Sequence, residues 1–299
     1  MLRLGIVDCD TSHVYQFSRR LNHTGIDPDQ WVDGAQVVAA VPGTSRVTDP
    51  ARVQEYLAAL RDAGVPLVER PEDLIGMVDA VLIESNEGAV HRERATPFIA
   101  AGLPVFIDKP LASTAADARA LVDLARERGV PLLSASALRF VPEVRAVREG
   151  RVVIGPLAGA DVYSPAPLHP ANPGLLHYGV HGVEMLYALM GPGCREVSCI
   201  ANAGGEVVTG RWEDGRLGLL RGLRASARGY GFTAYGADGI HTATVNTESM
   251  YRDLLTAIVP VLAGGPSPTT PEELVGVVAF QEAALQSSER GGQPVALAR

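Results

Sequence analysis

From Arg3 to Ser134 the chain alternates short apolar runs with stretches of helical periodicity, an order that a parallel sheet covered by helices satisfies directly. Arg3 to Val7 reads as a first strand, and Thr11 or Ser12 can cap a helix running from about Val14. Gln36 to Val41 reads as a second strand, Asp49 to Ala63 as a helix and Leu67-Val68 as a short strand. Pro71 to Met77 is a short helix opening on proline, and Asp79 to Ile83 a buried strand. A helix from His91 to Ala101, a strand from Val105 to Ile107, a helix from Thr114 to Arg128 and a strand from Pro131 to Ser134 complete a doubly wound sheet.

Beyond Arg139 glycine and proline become frequent and the strands lengthen: Ile154 to Tyr163, Glu196 to Ala201, Glu206 to Trp212, Arg216 to Arg221 and Ala225 to Tyr235. Turns at Glu213-Asp-Gly215 and Gly236-Ala-Asp-Gly239 predict hairpins in an open, mostly antiparallel sheet. One amphipathic helix from about Leu175 to Met190 precedes that sheet, and two more, Met250 to Leu262 and Pro271 to Ser288, close the chain. The fold class is therefore α/β, a Rossmann-like doubly wound sheet over residues 1–138 joined to an α+β domain over 139–299.

Composition narrows the function. A net charge of −8 with no basic run argues against nucleic acid or an anionic membrane and favours a small-molecule substrate. No apolar run approaches membrane-spanning length and no charged leader precedes the first strand, so the expected location is the cytoplasm. Three cysteines without CxxC spacing indicate neither a disulfide framework nor a zinc knuckle.

The stretch Gly102-Leu-Pro-Val-Phe-Ile-Asp-Lys-Pro110 is a short β-prone run that stops at an acid, a lysine and a proline. It places Lys109 and Asp108 at a strand's carboxyl end, the edge where open α/β sheets bind ligands. Lys109 paired with Asp108 as a snorkelling surface residue is the bland alternative.

A dinucleotide site needs close backbone approach between the first strand and helix, which glycines permit. Here that turn reads Asp8-Cys-Asp10-Thr11-Ser12-His13, with Asp8, Asp10 and His13 at the three glycine positions. Carboxylates directed at a pyrophosphate would repel it, so the turn either caps the helix, or lines a polar pocket, or holds a cation. The second strand runs into Ser45 and Arg46, a pair able to meet a 2′-phosphate, where an acid would hold a ribose.

In Leu175 to Met190, His177, His181 and Glu184 fall within roughly 60° of one another on a helical projection. That stripe suits a proton relay, a solvated face or, through its i, i+4, i+7 spacing, a metal. The relay ranks first, and no metal is assigned. Loop Tyr163 to Asn172, with Tyr163 and His169, is expected to overhang the pocket.

On these motifs the chain resembles the Gfo/Idh/MocA family of nicotinamide-dependent oxidoreductases over nearly its full length. Asp108-Lys109-Pro110 matches the family's Glu-Lys-Pro, which makes Lys109 the counterpart of its catalytic lysine. His177-Tyr-Gly179-Val-His181 is similar to the family's Asp-x-Gly-x-His, with histidine in place of the aspartate. Glu84-Ser85-Asn86 through His91 resembles, loosely, a segment beside the nicotinamide, and Arg139 sits where relatives often carry an arginine.

The resemblance implies NAD or NADP held by Asp8, Asp10, Thr11, Ser12, His13, Ser45, Arg46, Ser85, Asn86 and Lys109. It also implies a sugar, polyol or related substrate near Asp108, Arg139, Tyr163, His169 and Glu184, and a homo-oligomer, dimer or tetramer. Two reactions follow. In a dehydrogenase His181 accepts the hydroxyl proton while Lys109 polarises the oxygen. In a redox-inactive lyase, isomerase or cyclase, needing no nicotinamide, Lys109, His177 and His181 act as acid and base.

Overall fold

The computed structural model describes residues 1–225 and 228–298, which form two compact units. The first comprises Met1–Ala112, Ala116–Ala135 and Tyr251–Thr269. Its elements are β1 (Leu2–Val7), α1 (His13–Leu21), β2 (Ala35–Val41), α2 (Pro50–Asp62), β3 (Ala80–Ile83), α3 (His91–Ala100), β4 (Val105–Ile107), α4 (Ala115–Arg128) and β5 (Leu132–Ser134). The five strands are parallel in the order β2-β1-β3-β4-β5.

Residues build these elements for identifiable reasons. On α1, Val14, Phe17, Ser18 and Leu21 are buried at i, i+3, i+4 and i+7, one stripe against the sheet. All four residues of β3 and all three of β4 are buried, as a parallel strand covered on both faces requires. Each such apolar side chain contributes about 1.5–3 kcal/mol. Asp49 caps α2 by accepting the Ala51 N–H at 2.8 Å, ahead of Pro50 at the first helical position.

The order reverses between β1 and β3, and such a switch point opens a crevice at the carboxyl ends of the strands. The segments leaving β1, β3 and β4 there are Asp8–His13, Glu84–Glu87 and Asp108–Pro110. Leu67-Val68, expected as a strand, is reduced to a single parallel bridge from Leu67 to Ala40. Pro66 removes a donor before it and a 3-10 turn, Pro71–Leu74, follows at once, so the ladder cannot extend.

The second unit comprises Ser113–Ala115, Ser136–Met250 and Thr270–Arg299. It begins with α5 (Pro142–Arg148), β6 (Leu157–Pro165), α6 (Val180–Met190), β7 (Cys194–Asn202), β8 (Gly205–Trp212), β9 (Leu217–Leu223), β10 (Gly231–Gly236) and β11 (Ile240–Thr244). The chain then supplies α7 (Met250–Leu262), most of it part of the first unit, and returns with α8 (Pro271–Glu289) and β12 (Val295–Ala296). A single cut at residue 138 therefore does not describe the division.

The sheet of this unit runs β11-β10-β6-β9-β8-β7-β12, antiparallel except for the β6–β9 pair. Both predicted turns join antiparallel neighbours, β8 to β9 and β10 to β11. The strand expected over Ala225 to Tyr235 is β10; Ser226 and Ala227 lie outside the described residues. The short strands β11 and β12 were not expected.

The helix expected from Leu175 is divided. A 3-10 turn, Gly174–Leu176, ends at His177, and α6 starts only at Val180. The chain folds tightly here: a Cβ on Gly179 would lie 2.4 Å from Leu175 Cδ2. His177 consequently precedes α6, so the stripe of His177, His181 and Glu184 does not exist as one face.

Candidate active site

At the switch point, Asp8 has φ +62°, the left-handed conformation glycine adopts most readily, and is 2% exposed. Its carboxylate accepts the Ser85 hydroxyl proton and an Arg94 Nε–H at 3.0 Å. Asp10 is also buried; its Oδ1 accepts the Asn86 N–H at 2.8 Å, and burial pushes its carboxyl up to about 6. Both acids are thus folded inward on partners. Thr11 is buried at the same turn, and its Oγ1 takes the His13 N–H at 3.4 Å, while Ser12 is the N-cap of α1 without a side-chain capping bond.

Across the crevice, Ser45 Oγ accepts the N–H groups of Val47 and Thr48. Arg46 is not idle: its guanidinium pairs with the buried Glu87 carboxylate, Nε to Oε2 at 2.9 Å. Thr48 donates to the Asp10 carbonyl at 2.6 Å and accepts from Asn86 Nδ2 at 3.2 Å. Ser45, Arg46 and Asn86 are thus brought to one polar rim, and the acid Glu87 within it was not anticipated.

Behind the rim sits a sealed cluster. Lys109 Nζ donates to Asp108 Oδ2 at 2.8 Å, with Lys109 7% and Asp108 0% exposed. His13 Nδ1 lies 3.0 Å from the same Asp108 oxygen and 3.8 Å from Glu84 Oε2. The snorkelling reading of Lys109 fails because its stem and head are both enclosed. Burial opposes charge on both members of the pair, yet Asp108 and Glu84 hold the Lys109 ammonium above its usual range, and His13 and Lys109 hold Asp108 below the usual carboxylate range.

Glu84 differs. It is fully buried, neither oxygen has a hydrogen-bond partner among the described residues, and burial with Asp108 beside it pushes its carboxyl well above the usual range. His13, Glu84 and Asp108 offer donor atoms within 4.8 Å of one another, a spacing that a metal ion would accept. The Lys109 ammonium supplies cationic charge beside Asp108 within the same cluster.

His91 fixes the geometry of this edge. Its Nδ1 lies 2.8 Å from the Pro110 carbonyl and its Nε2 2.8 Å from the Ser85 carbonyl, so it ties the segment after β4 to that after β3. The Lys109–Pro110 peptide is cis.

In the second unit, His181 stands in the first turn of α6, its Nδ1 2.7 Å from Ser136 Oγ. Tyr178 and Tyr230 flank its ring at centroid distances of 4.9 and 6.2 Å. Both tyrosines line a cavity of about 410 Å³ with Pro165, Arg228, Thr244 and Thr247. Tyr163 and His169 are not among its described lining residues; Tyr163 Oη meets Thr244 Oγ1 at 3.4 Å, and His169 stacks toward His177 at 5.2 Å. Ser136 and Tyr230 gave no periodic signal, because separate segments bring them to His181, whereas Tyr178 lies three residues before it on the same stretch.

Arg139 and Glu184 require correction as pocket residues. Arg139 is 1% exposed, donating from Nε to Glu184 at 2.7 Å and from Nη1 to Glu273 at 2.7 Å. One guanidinium thus serves two buried carboxylates in the interior, which gives Arg139 and Glu184 a structural role.

Residues 35–136 match a family described as an oxidoreductase family with an NAD-binding Rossmann fold. The match begins after the first turn, the part where glycines are replaced. Over 168 residues the chain is 34% identical to 1,5-anhydro-D-fructose reductase of Ensifer adhaerens, covering 50% of this chain and 49% of that one. Over 180 residues it is 29% identical to inositol 2-dehydrogenase of Acidothermus cellulolyticus, covering 57% and 50%. The chain thus spans about half the length of the curated relatives it matches. Its fold is that of GenD2 from gentamicin A biosynthesis, solved in complex with NAD, with a TM-score of 0.79, 21% identity and coverage of 100% and 97%. Among the described residues no helix is long and apolar enough to cross a membrane.

Proposed function

We propose that this chain, whose residues 35–136 match an oxidoreductase family with an NAD-binding Rossmann fold, is a Gfo/Idh/MocA-type NAD(P)-dependent oxidoreductase acting on a hydroxyl or carbonyl of a sugar, polyol or related small polar metabolite. The observation that carries this reading is the enclosed Lys109, held by Asp108 at the carboxyl edge of β4, beside the switch point.

The first turn tests the fit of a dinucleotide. Repulsion requires carboxylates facing outward, whereas Asp8 and Asp10 are buried on Ser85, Arg94 and the Asn86 N–H. The residues therefore fit, with Ser12, Ser45, Arg46 and Asn86 as those that would hold the group. When bound, a nicotinamide accepts or returns the hydride.

The protein's own residues do the rest. Lys109 donates a hydrogen bond to the substrate oxygen, polarises it and exchanges a proton with it; in the second unit His181, its Nδ1 beside Ser136 Oγ, is a further candidate acid–base group. Asp108 and His91 keep Lys109 in place. A small substrate and a homo-oligomer are part of the same proposal.

A redox-inactive lyase, isomerase or cyclase is the second reading, favoured by the acids Asp8 and Asp10 at the first turn and Glu87 after β3. Titration with NADH and NADPH, followed by nicotinamide fluorescence, separates the two. Micromolar binding, with turnover of polyols or aldoses, supports the oxidoreductase, and tighter NADPH binding would assign Arg46 to the 2′-phosphate. Folded protein that binds neither dinucleotide overturns the first reading.

A further inference from the structure

Glu84 is a carboxyl group without a hydrogen-bond partner among the described residues, 0% exposed, at the end of a strand where the catalytic lysine's own strand lies alongside. An isolated buried carboxylate is among the most costly groups a fold can contain, so it must hold a proton or a counter-ion. The nearby cation is Lys109, and it is engaged with Asp108. His13, at the third glycine position of the turn, places its Nδ1 between the two acids, 3.0 Å from Asp108 and 3.8 Å from Glu84.

We propose that Glu84 is a proton reservoir behind Lys109, exchanging its proton through His13 and Asp108. The role rests on the reading of Lys109 as the group that meets substrate, and it makes Glu84 and His13 positioning residues that act through it.

The charges close. With Lys109 as ammonium, Asp108 as carboxylate and Glu84 protonated, the charges of these three groups sum to zero. When Lys109 gives a proton to a substrate oxygen, an Nζ–H bond breaks and an O–H bond forms. Glu84 Oε2–H passes its proton to the lone pair of His13 Nδ1 as the imidazole tilts across the 3.8 Å gap, an N–H bond forming as the O–H bond breaks. The imidazolium so formed releases a proton to Asp108 Oδ2, 3.0 Å away, and from there it reaches Nζ, so that His13 returns to its starting form and Glu84 is left as a carboxylate. One proton has left Glu84, one has reached the substrate, and no electron pair has left the cluster. The reverse sequence stores the proton of a substrate alcohol.

Other charged or titratable groups face this chain of atoms. Asp10 approaches from the turn after β1, and its charge favours the neutral form of Glu84. Cys9 stands beside them on the same turn and is itself affected by the Glu84 charge. His91 from α3 senses both Asp108 and Lys109. Tyr251 from α7 meets the His13 ring edge-on at 5.1 Å and acts on Lys109. Arg20 of α1 stands over Tyr251, 5.4 Å from its centroid.

Infrared spectroscopy of the full-length protein reads the reservoir directly. Wild type at pH 7 should show a protonated-carboxyl stretch that disappears in Glu84→Gln and persists in Asp10→Asn, which excludes Asp10 as its source. In parallel, the pH profile of turnover should move in Glu84→Gln and in His13→Asn while KM changes little, because these side chains alter the proton supply rather than the substrate contact. Absence of the band in folded wild type overturns the proposal. So does a stoichiometric divalent metal in the purified protein whose removal brings out the band, for then Glu84 is a ligand. An unmoved pH profile in an active Glu84→Gln variant also overturns it. The infrared result needs neither dinucleotide nor substrate, so failure to bind NADH leaves it intact and strikes only the oxidoreductase reading.

Discussion

At the scale of single residues, charge and burial together decide what each group does. Lys109→Ala removes the one ammonium on Asp108, and turnover should fall by about 10²–10⁴-fold while circular dichroism remains native. Full activity in that variant would remove Lys109 from the mechanism. Asp10 makes a pH-dependent contribution of known sign. Its carboxyl is raised to about 6 by burial from an ordinary 3.8, so the folded state binds this proton more tightly than the unfolded chain does. The stabilisation is complete below the unfolded value and is lost as pH rises through the folded one. Asp10→Asn should therefore gain on wild type between pH 4 and 8, by up to about 3 kcal/mol in urea unfolding. A constant difference across that range would contradict the assignment. Lys109 was legible because an acid, a lysine and a proline end an apolar run. Glu84 was not, since a single acid after a strand reads equally well as an exposed end.

At the scale of elements, the first turn and α6 show how small residues set approach. Asp8 occupies a left-handed conformation that costs about 1–2 kcal/mol outside glycine, and its bonds to Ser85 and Arg94 offset that strain. The double variant Asp8→Gly, Asp10→Gly recreates a permissive turn, and NADH affinity measured by fluorescence should rise. Unchanged affinity would mean that the dinucleotide does not use this turn. In α6 a Cβ on Gly182 would lie 2.4 Å from Leu220 Cδ1 and 2.9 Å from Ser164 Cβ. Alanine's helix propensity is worth about 1 kcal/mol, against about 1–3 kcal/mol for overpacking. Gly182→Ala should thus lower stability by up to about 2 kcal/mol, visible as a lower urea midpoint. The existence of α6 was legible from its apolar repeat. Its start was not, because the break at His177 depends on how Gly179 packs over Leu175.

At the scale of the molecule, ion pairs link stretches of chain that no local pattern joins. Arg139 bonds Glu184, 45 residues away, and Glu273, 134 residues away, all inside the second unit. Arg139→Met would leave two buried carboxylates without their cation, at about 3–5 kcal/mol. Thermal unfolding should show the loss, larger at pH 8 than at pH 5, because the acids of the variant can neutralise themselves by taking protons. Equal losses at both values would mean that the triad carries no net electrostatic weight. The α7 segment makes the same point in another way, joining the first unit after a long excursion through the second.

The order of strands and helices, the parallel and antiparallel halves and the position of Lys109 follow from the sequence, because apolar periodicity and turn residues act over a few neighbours. Which acids face inward, that Arg139 neutralises Glu184, and that His13 reaches Asp108 were decided by tertiary structure. Those facts depend on residues far apart in the chain converging where strands end, and burial there, rather than residue type, determines whether a charge meets solvent, a partner or a proton.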